Sequence, residues 1–274
     1  MSLMEAVHAA DRGERAPLLM GIVNITPDSF SDGGRYLAPQ AAIDHAQHLS
    51  AQGADVLDLG AESTRPGYEP VPAEEEWQRL APAVVALKGA GVPLSIDTTK
   101  AFVAQKALAA GAELINDVWG FQADPDMAAT VAAGGASAVV MHNRHEIDPQ
   151  LDLWEDWRRF FDRSLSLADK AGVSSDKLVL DPGVGFGKTP EQNLWAVRSL
   201  GRLRQHYKLP VLLGLSRKSF FGHFLGRPTD ERLPATLMAN LYGQEQGAAL
   251  WRVHDVQAHY DVLHIQRLLA GTVP

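Results

Sequence analysis

The chain contains no cysteine. Disulfide staples, thiolate nucleophiles and thiolate-bound metals are therefore excluded, and a reducing compartment is permitted. No run rich in lysine and arginine occurs and the formal charge is −8. Nucleic acid and anionic membranes are thus not expected partners, because both select basic patches. No stretch reaches the ~18 apolar residues of a membrane span. The opening MSLMEAVHAADRGERAP has no apolar core of signal-peptide length. A cytoplasmic location is the expectation, and the residues before Met4 carry no functional weight. No G-x-G-x-x-G follows the first apolar run, which speaks against an open dinucleotide-binding sheet. No Ser-His-Asp order is visible either, so a covalent enzyme intermediate is disfavoured.

What is present is a rhythm. Short apolar runs recur at 18–23, 55–60, 93–96, 113–115, 137–141, 177–180, 210–215 and 249–253, each stopping abruptly at polar or glycine residues. Continuous rather than alternating runs suit parallel strands covered on both faces. Between them lie Ala/Leu-rich segments with helical spacing, for example 41–53, 72–91 and 100–111, and a last one at 255–271 follows the eighth run. Eight β/α units in 274 residues, with the 46% apolar content spread along the chain, predict one (β/α)₈ TIM barrel over 18–274 behind an N-terminal extension at 1–17. An open doubly wound sheet is the alternative.

In such a barrel the chemistry sits at the C-terminal ends of the strands. The polar residues that follow the runs are Asn24, Glu62 with Thr64 and Arg65, Asp97, Asn116 with Asp117, His142, Asp181, Arg217 with Lys218, and His254 with Asp255. One Asp or Asn after a strand is usually a helix cap. A ring of them, with cations on three loops, points to a site. Arg252 and His254 lie two apart on the last strand and so share a face, where a phosphate group would fit.

Seven segments carry a resemblance: GIVNITPDSFSDGG (21–34), ESTRPG (62–67), SIDTTK (95–100), INDVWG (115–120), LDPGVGFGKT (180–189), LSRKSFFG (215–222) and RVHDV (252–256). In this order they resemble the signature segments of dihydropteroate synthases, from about Met20 to the final helix. The resemblance implies an enzyme that joins p-aminobenzoate to a dihydropterin diphosphate. It assigns Asp97, Asn116, Met141, Asp181 and Lys218 to the pterin, and Thr64, Arg65, Pro66, Phe186 and Ser219 to p-aminobenzoate. Asn24, Arg252 and His254 fall to the diphosphate, with Asn24 also at Mg²⁺. Asp97, Lys218, Arg252 and His254 carry the catalytic role.

The resemblance implies a mobile first loop that carries Phe30 and Asp32, with Gly33 and Gly34 there and Gly67 in the second loop as the expected flexible points, and it implies a homodimer. The pterin edge fits these residue types, since its 2-amino and N3–H donors suit a carboxylate and its O4 and N5 acceptors suit an ammonium. The stretch 142–150 departs from the family's commoner pattern. Two other readings are a methyltetrahydrofolate-dependent methyltransferase, which has no use for ESTRPG or SRKSFFG, and a pterin-binding paralogue without activity, which would be expected to lack a loop residue.

Overall fold

The computed structural model describes residues 1–25, 34–62 and 71–271, with side chains described from residue 39 onward in the second of these segments. The elements run α1 (Leu3–Asp11), β1 (Leu18–Asn24), α2 (Gly34–Ala51), β2 (Val56–Gly60), α3 (Ala73–Leu87), β3 (Leu94–Asp97), α4 (Ala101–Ala110), β4 (Leu114–Asp117), α5 (Met127–Ala133) and β5 (Ser137–Met141). They continue with α6 (Leu153–Ala171), β6 (Leu178–Asp181), α7 (Pro190–Arg198), α8 (Leu200–Tyr207), β7 (Val211–Leu213), α9 (Ser219–Leu225), α10 (Leu233–Glu245), β8 (Ala248–Val253) and α11 (Val256–Leu269). The strands pair in parallel and in chain order, and β8 closes on β1. All eight apolar runs are strands of this one closed barrel, and the open sheet is excluded.

Because side chains alternate across a strand, each strand has an inner and an outer set. The outer set packs on the helices and includes Leu19, Val23, Leu57, Leu59, Ile96, Ile115, Val140, Leu180, Leu213 and Val253. The inner set forms a second apolar layer of Leu18, Met20, Val56, Leu114, Val139, Val179, Leu212 and Leu250. Two residues further along the same parity stand Asp58, Asn116, Met141, Asp181 and Arg252, with Asn24, Asp97 and His254 completing the ring. The barrel interior is therefore apolar below and polar at the mouth.

The segment before β1 seals the other end. Ser2 and Glu5 form a reciprocal capping box that starts α1, and Leu3, Ala6 and Val7 pack under the apolar layer. Asp11, at its end, pairs with Arg204 Nε of α8 at 2.5 Å.

Candidate active site

Asp58 is the hub of the mouth. It lies mid-strand in β2, fully buried, and its Oδ1 accepts from Ser95 Oγ at 2.6 Å. Its Oδ2 accepts from Asn116 Nδ2 at 3.1 Å and from Arg252 Nε at 2.6 Å. Arg252 Nη2 donates to Asp97 Oδ2 at 2.8 Å, so one guanidinium bridges two carboxylates on neighbouring strands. Burial opposes a charge on Arg252, but Asp58 and then Asp97 outweigh it and raise its pKa. Burial also raises Asp97, against the pull of Arg252, with Asp58 adding to the rise.

Across the barrel, Asp181 ends β6 and accepts from Gly183 N–H through Oδ1 at 2.7 Å. Burial pushes its pKa up to about 6. Lys218 follows β7 in a tightly determined turn. Arg217 has a left-handed backbone (φ 55). Its N–H donates to Thr236 Oγ1 at 3.2 Å, its carbonyl accepts from Arg232 Nη1 at 3.2 Å, and its guanidinium forks onto Asp255. This leaves the Lys218 Nζ 4.3 Å over the half-buried Phe186 ring. Burial, then the charge of Arg252, pull Lys218 down to about 8.

At the rim, His254 is exposed on one side, while Ser216 Oγ lies 2.8 Å from its Nδ1 and accepts its backbone N–H at 3.1 Å. The protein around its inner edge, then Arg252, lower its pKa. The Nε2 of the neutral ring, which has no hydrogen-bond partner among the described residues, would donate to an incoming anion when Ser216 donates to Nδ1. Asn24 stands exposed at the end of β1 beside Gly60, and Ser219 is exposed at the start of α9. Met141 is buried and paired in register with Asp181, a wall position.

Asp117 turns the other way: it caps the following turn by accepting from Trp119 and Phe121 N–H groups. Glu62 ties two loops, accepting from Val71 N–H at 2.6 Å and from Lys100 Nζ at 2.7 Å. The expected Thr64, Arg65 and Pro66, and the expected Phe30 and Asp32, lie outside the described residues.

Asp58, Ser95 and Ser216 were not anticipated from the sequence. For Asp58 the signal was available: it stands two after Val56, on the parity that carries Asp97 and Asn116 on the next strands.

A carboxylate and an ammonium able to bracket a heterocycle, beside an arginine and a histidine suited to an anion, define a barrel enzyme for a charged heterocyclic substrate. The family model described as pterin binding enzyme matches residues 20–254. A dihydropteroate synthase of Clostridium beijerinckii is 46% identical over 246 residues, which are 89% of this chain and 90% of that protein.

A solved dihydropteroate synthase of Clostridium difficile, in the presence of pteroic acid, superposes with a TM-score of 0.89 at 42% identity, over 94% of this chain and 97% of that one. The Xanthomonas albilineans dihydropteroate synthase with 4-aminobenzoic acid matches equally, at TM-score 0.89 and 41% identity over 95% of both chains. The chain belongs to the dihydropteroate synthase family of pterin-binding enzymes.

The two shifted groups set a pH window. On the pterin roles that the resemblance implies, Asp181 would accept as a carboxylate, above about 6, and Lys218 would donate as an ammonium, below about 8. Affinity for a 7,8-dihydropterin is expected to rise as pH climbs through the first value and to fall through the second. Calorimetric titrations from about pH 5 to 9 check this, with Asp181→Asn losing the acid limb. Flat affinity across the window would contradict it.

Proposed function

We propose that this site condenses p-aminobenzoate with (7,8-dihydropterin-6-yl)methyl diphosphate to give 7,8-dihydropteroate and diphosphate, a step of folate biosynthesis. Asp181 accepts from the pterin 2-amino and N3–H groups, Lys218 donates to O4 and N5, and Asn116 and Asp97 complete the ring contacts against Met141. Arg252, His254 and Asn24 receive the diphosphate. Phe186 and Ser219, with Thr64, Arg65 and Pro66, take the aryl amine. One observation supports these roles most: Asp97, Asn116, Asp181 and Arg252 share the inner parity of four strands, and Lys218 lies over Phe186 at the same mouth.

The C–O bond to the pterin methylene breaks with its electron pair going to the diphosphate. The amine nitrogen then bonds that carbon and releases its proton. Arg252 suits the first step because fixed cations stabilise developing negative charge in a site that excludes water. Asp97, held against Arg252, faces the positive charge left on the methylene. We therefore favour a dissociative path.

Among the described residues no cluster of His, Asp and Glu could hold a metal by itself. Mg²⁺ commonly takes one or two protein oxygens plus phosphate oxygens and water, and the exposed Asn24 amide fits that donor set. When bound there with the diphosphate, Mg²⁺ would supply charge neutralisation. Among the described residues no helix is long and apolar enough to cross a membrane. The reading extends to a cytoplasmic location and to a homodimer, the latter supported by exposed Met238 on α10 and Ile265 and Leu269 on α11.

Sulfonamides, which imitate p-aminobenzoate, are expected to raise its KM while leaving kcat unchanged. Calorimetry should find p-aminobenzoate binding tightly only after the pterin diphosphate is present. Tight binding to the free enzyme, or inhibition that high p-aminobenzoate does not relieve, would contradict the assignment.

A further inference from the structure

Behind the pterin site lies a buried amine to which the chemistry above gives no role. Lys188 ends the connection between β6 and α7, nearly covered by protein. Its Nζ donates to Gly183 O at 2.8 Å and to Phe186 O at 3.1 Å, and lies 2.9 Å from His142 Nδ1. The Asp156 carboxylate can only accept, so the His142 proton sits on Nε2, from which it donates to Asp156 Oδ2 at 3.1 Å, and Nδ1 is left to accept from Lys188 Nζ. Asp156 also takes Arg144 at 3.2 Å and Arg159 at 3.1 Å. Burial, then the Lys188 charge, hold His142 neutral, its pKa lowered to about 3. A relay of Asp156, His142 and Lys188 thus ends on two carbonyls of one turn.

That turn is pressed from both sides. Gly183 has φ +67, and a Cβ there would lie 1.7 Å from His142 O. Gly185 has φ +86, and a Cβ there would lie 2.9 Å from Lys218 Cδ. The backbone is therefore wedged between His142 behind and Lys218 in front, in a conformation only glycine adopts freely. Gly183 O accepts from both Lys188 Nζ and Phe186 N–H, so the amine fixes the residues that present the Phe186 ring. Replacing Lys188 with an apolar side chain would leave His142 Nδ1 and Phe186 O without this donor and Gly183 O with the Phe186 N–H alone, and such acceptors recover hydrogen bonds by moving.

We propose that Lys188 is a positioning residue for the aryl-amine substrate, holding the Gly183–Phe186 turn from behind so that the Phe186 ring and the Lys218 side chain form one wall of the subsite in front. This rests on the assignment of Phe186 to p-aminobenzoate made above. The hand-off runs through residues 142–144, within the stretch where this chain departs from the commoner family pattern.

The absence of cysteine from the chain permits a direct test. Lys188→Met removes the amine at nearly constant length. Lys188→Cys, alkylated in denaturant with 2-bromoethylamine and refolded, restores an amine at the lysine position through a thioether, and wild type is carried through the same cycle. Lys188→Met and unalkylated Lys188→Cys are expected to raise the KM for p-aminobenzoate at least about tenfold, with 7,8-dihydropterin affinity within about threefold of wild type. Aminoethylation should return that KM to within about threefold.

Phe186→Ala separates the two levels of the account. Should it leave the KM for p-aminobenzoate unchanged, the subsite assignment fails and the proposal with it. Should it raise the KM while the Lys188 variants do not, the positioning role alone is overturned. Equal losses for pterin and p-aminobenzoate, or a refolded aminoethylated enzyme with native circular dichroism and an unrestored KM, also overturn it. If Lys188→Met does not fold, Asp156→Asn, at a partly buried position, carries the same expectation in reduced form, and an unchanged KM there overturns the relay.

Discussion

Lys218→Ala is expected to lower kcat/KM by at least about a hundredfold while moving unfolding stability by no more than about 1 kcal/mol. Two features of the site set these sizes. On the proposed reading the amine is the cation opposite Asp181 at the pterin, and a charge-assisted hydrogen bond lost from a closed site costs more than a neutral one. Its burial beside Arg252 already lowers its pKa to about 8, so the fold gains little from the charge. Steady-state kinetics beside denaturant melts check both halves. Activity within a few-fold of wild type would defeat the pterin assignment, whereas a collapse of stability would make Lys218 a structural residue.

Arg252→Met should be the more damaging change. It leaves Asp58, fully buried, and Asp97 facing each other without the guanidinium that joins them, and breaking a buried pair from one side costs about 3 to 5 kcal/mol. On the proposed reading it also removes the main cation beside the leaving diphosphate, for a further loss of about a hundredfold to a thousandfold in kcat. The pH dependence follows in sign. Burial and Asp58 already raise Asp97, and without Arg252 the rise is larger. A carboxyl whose folded-state pKa lies above its unfolded value destabilises the fold once ionised, so the deficit should shrink as pH falls into the acid range. Adding Asp58→Asn should restore stability without restoring turnover. Recovery of both would show that Arg252 acts only as a scaffold.

The barrel was legible because buried parallel strands leave continuous apolar runs, and each of the eight runs begins or ends within a residue or two of an observed strand. The helix α1 was not read, since only Leu3, Ala6 and Val7 of its residues are buried, although Ser2-x-x-Glu5 is a capping box in plain view.

Residues directly after the runs gave Asn24, Asp97, Asn116, Asp181 and Lys218. That rule favoured strand ends and so passed over Asp58, which sits inside a run that looks uniformly buried. Strand parity, which grouped Arg252 with His254, reaches Asp58 from Val56 as well. Contacts that depend on three-dimensional closure stayed hidden: Lys188 meets His142 from 46 positions away, and Arg252 meets Asp58 from 194. No local pattern records such pairings.

The most direct measurement follows the bond that this site is built to open. Dihydropterin diphosphate labelled with ¹⁸O at the bridging position is incubated with enzyme and Mg²⁺, with and without p-aminobenzoate, and phosphate oxygens and products are read by mass spectrometry. With p-aminobenzoate, labelled diphosphate should appear one for one with 7,8-dihydropteroate. Without it, no net diphosphate should be released, while the label scrambles into non-bridging positions as the C–O bond opens and recloses beside Arg252 and Asp97. Diphosphate released to water at the same rate in the absence of p-aminobenzoate, or no dihydropteroate in its presence, would contradict the account.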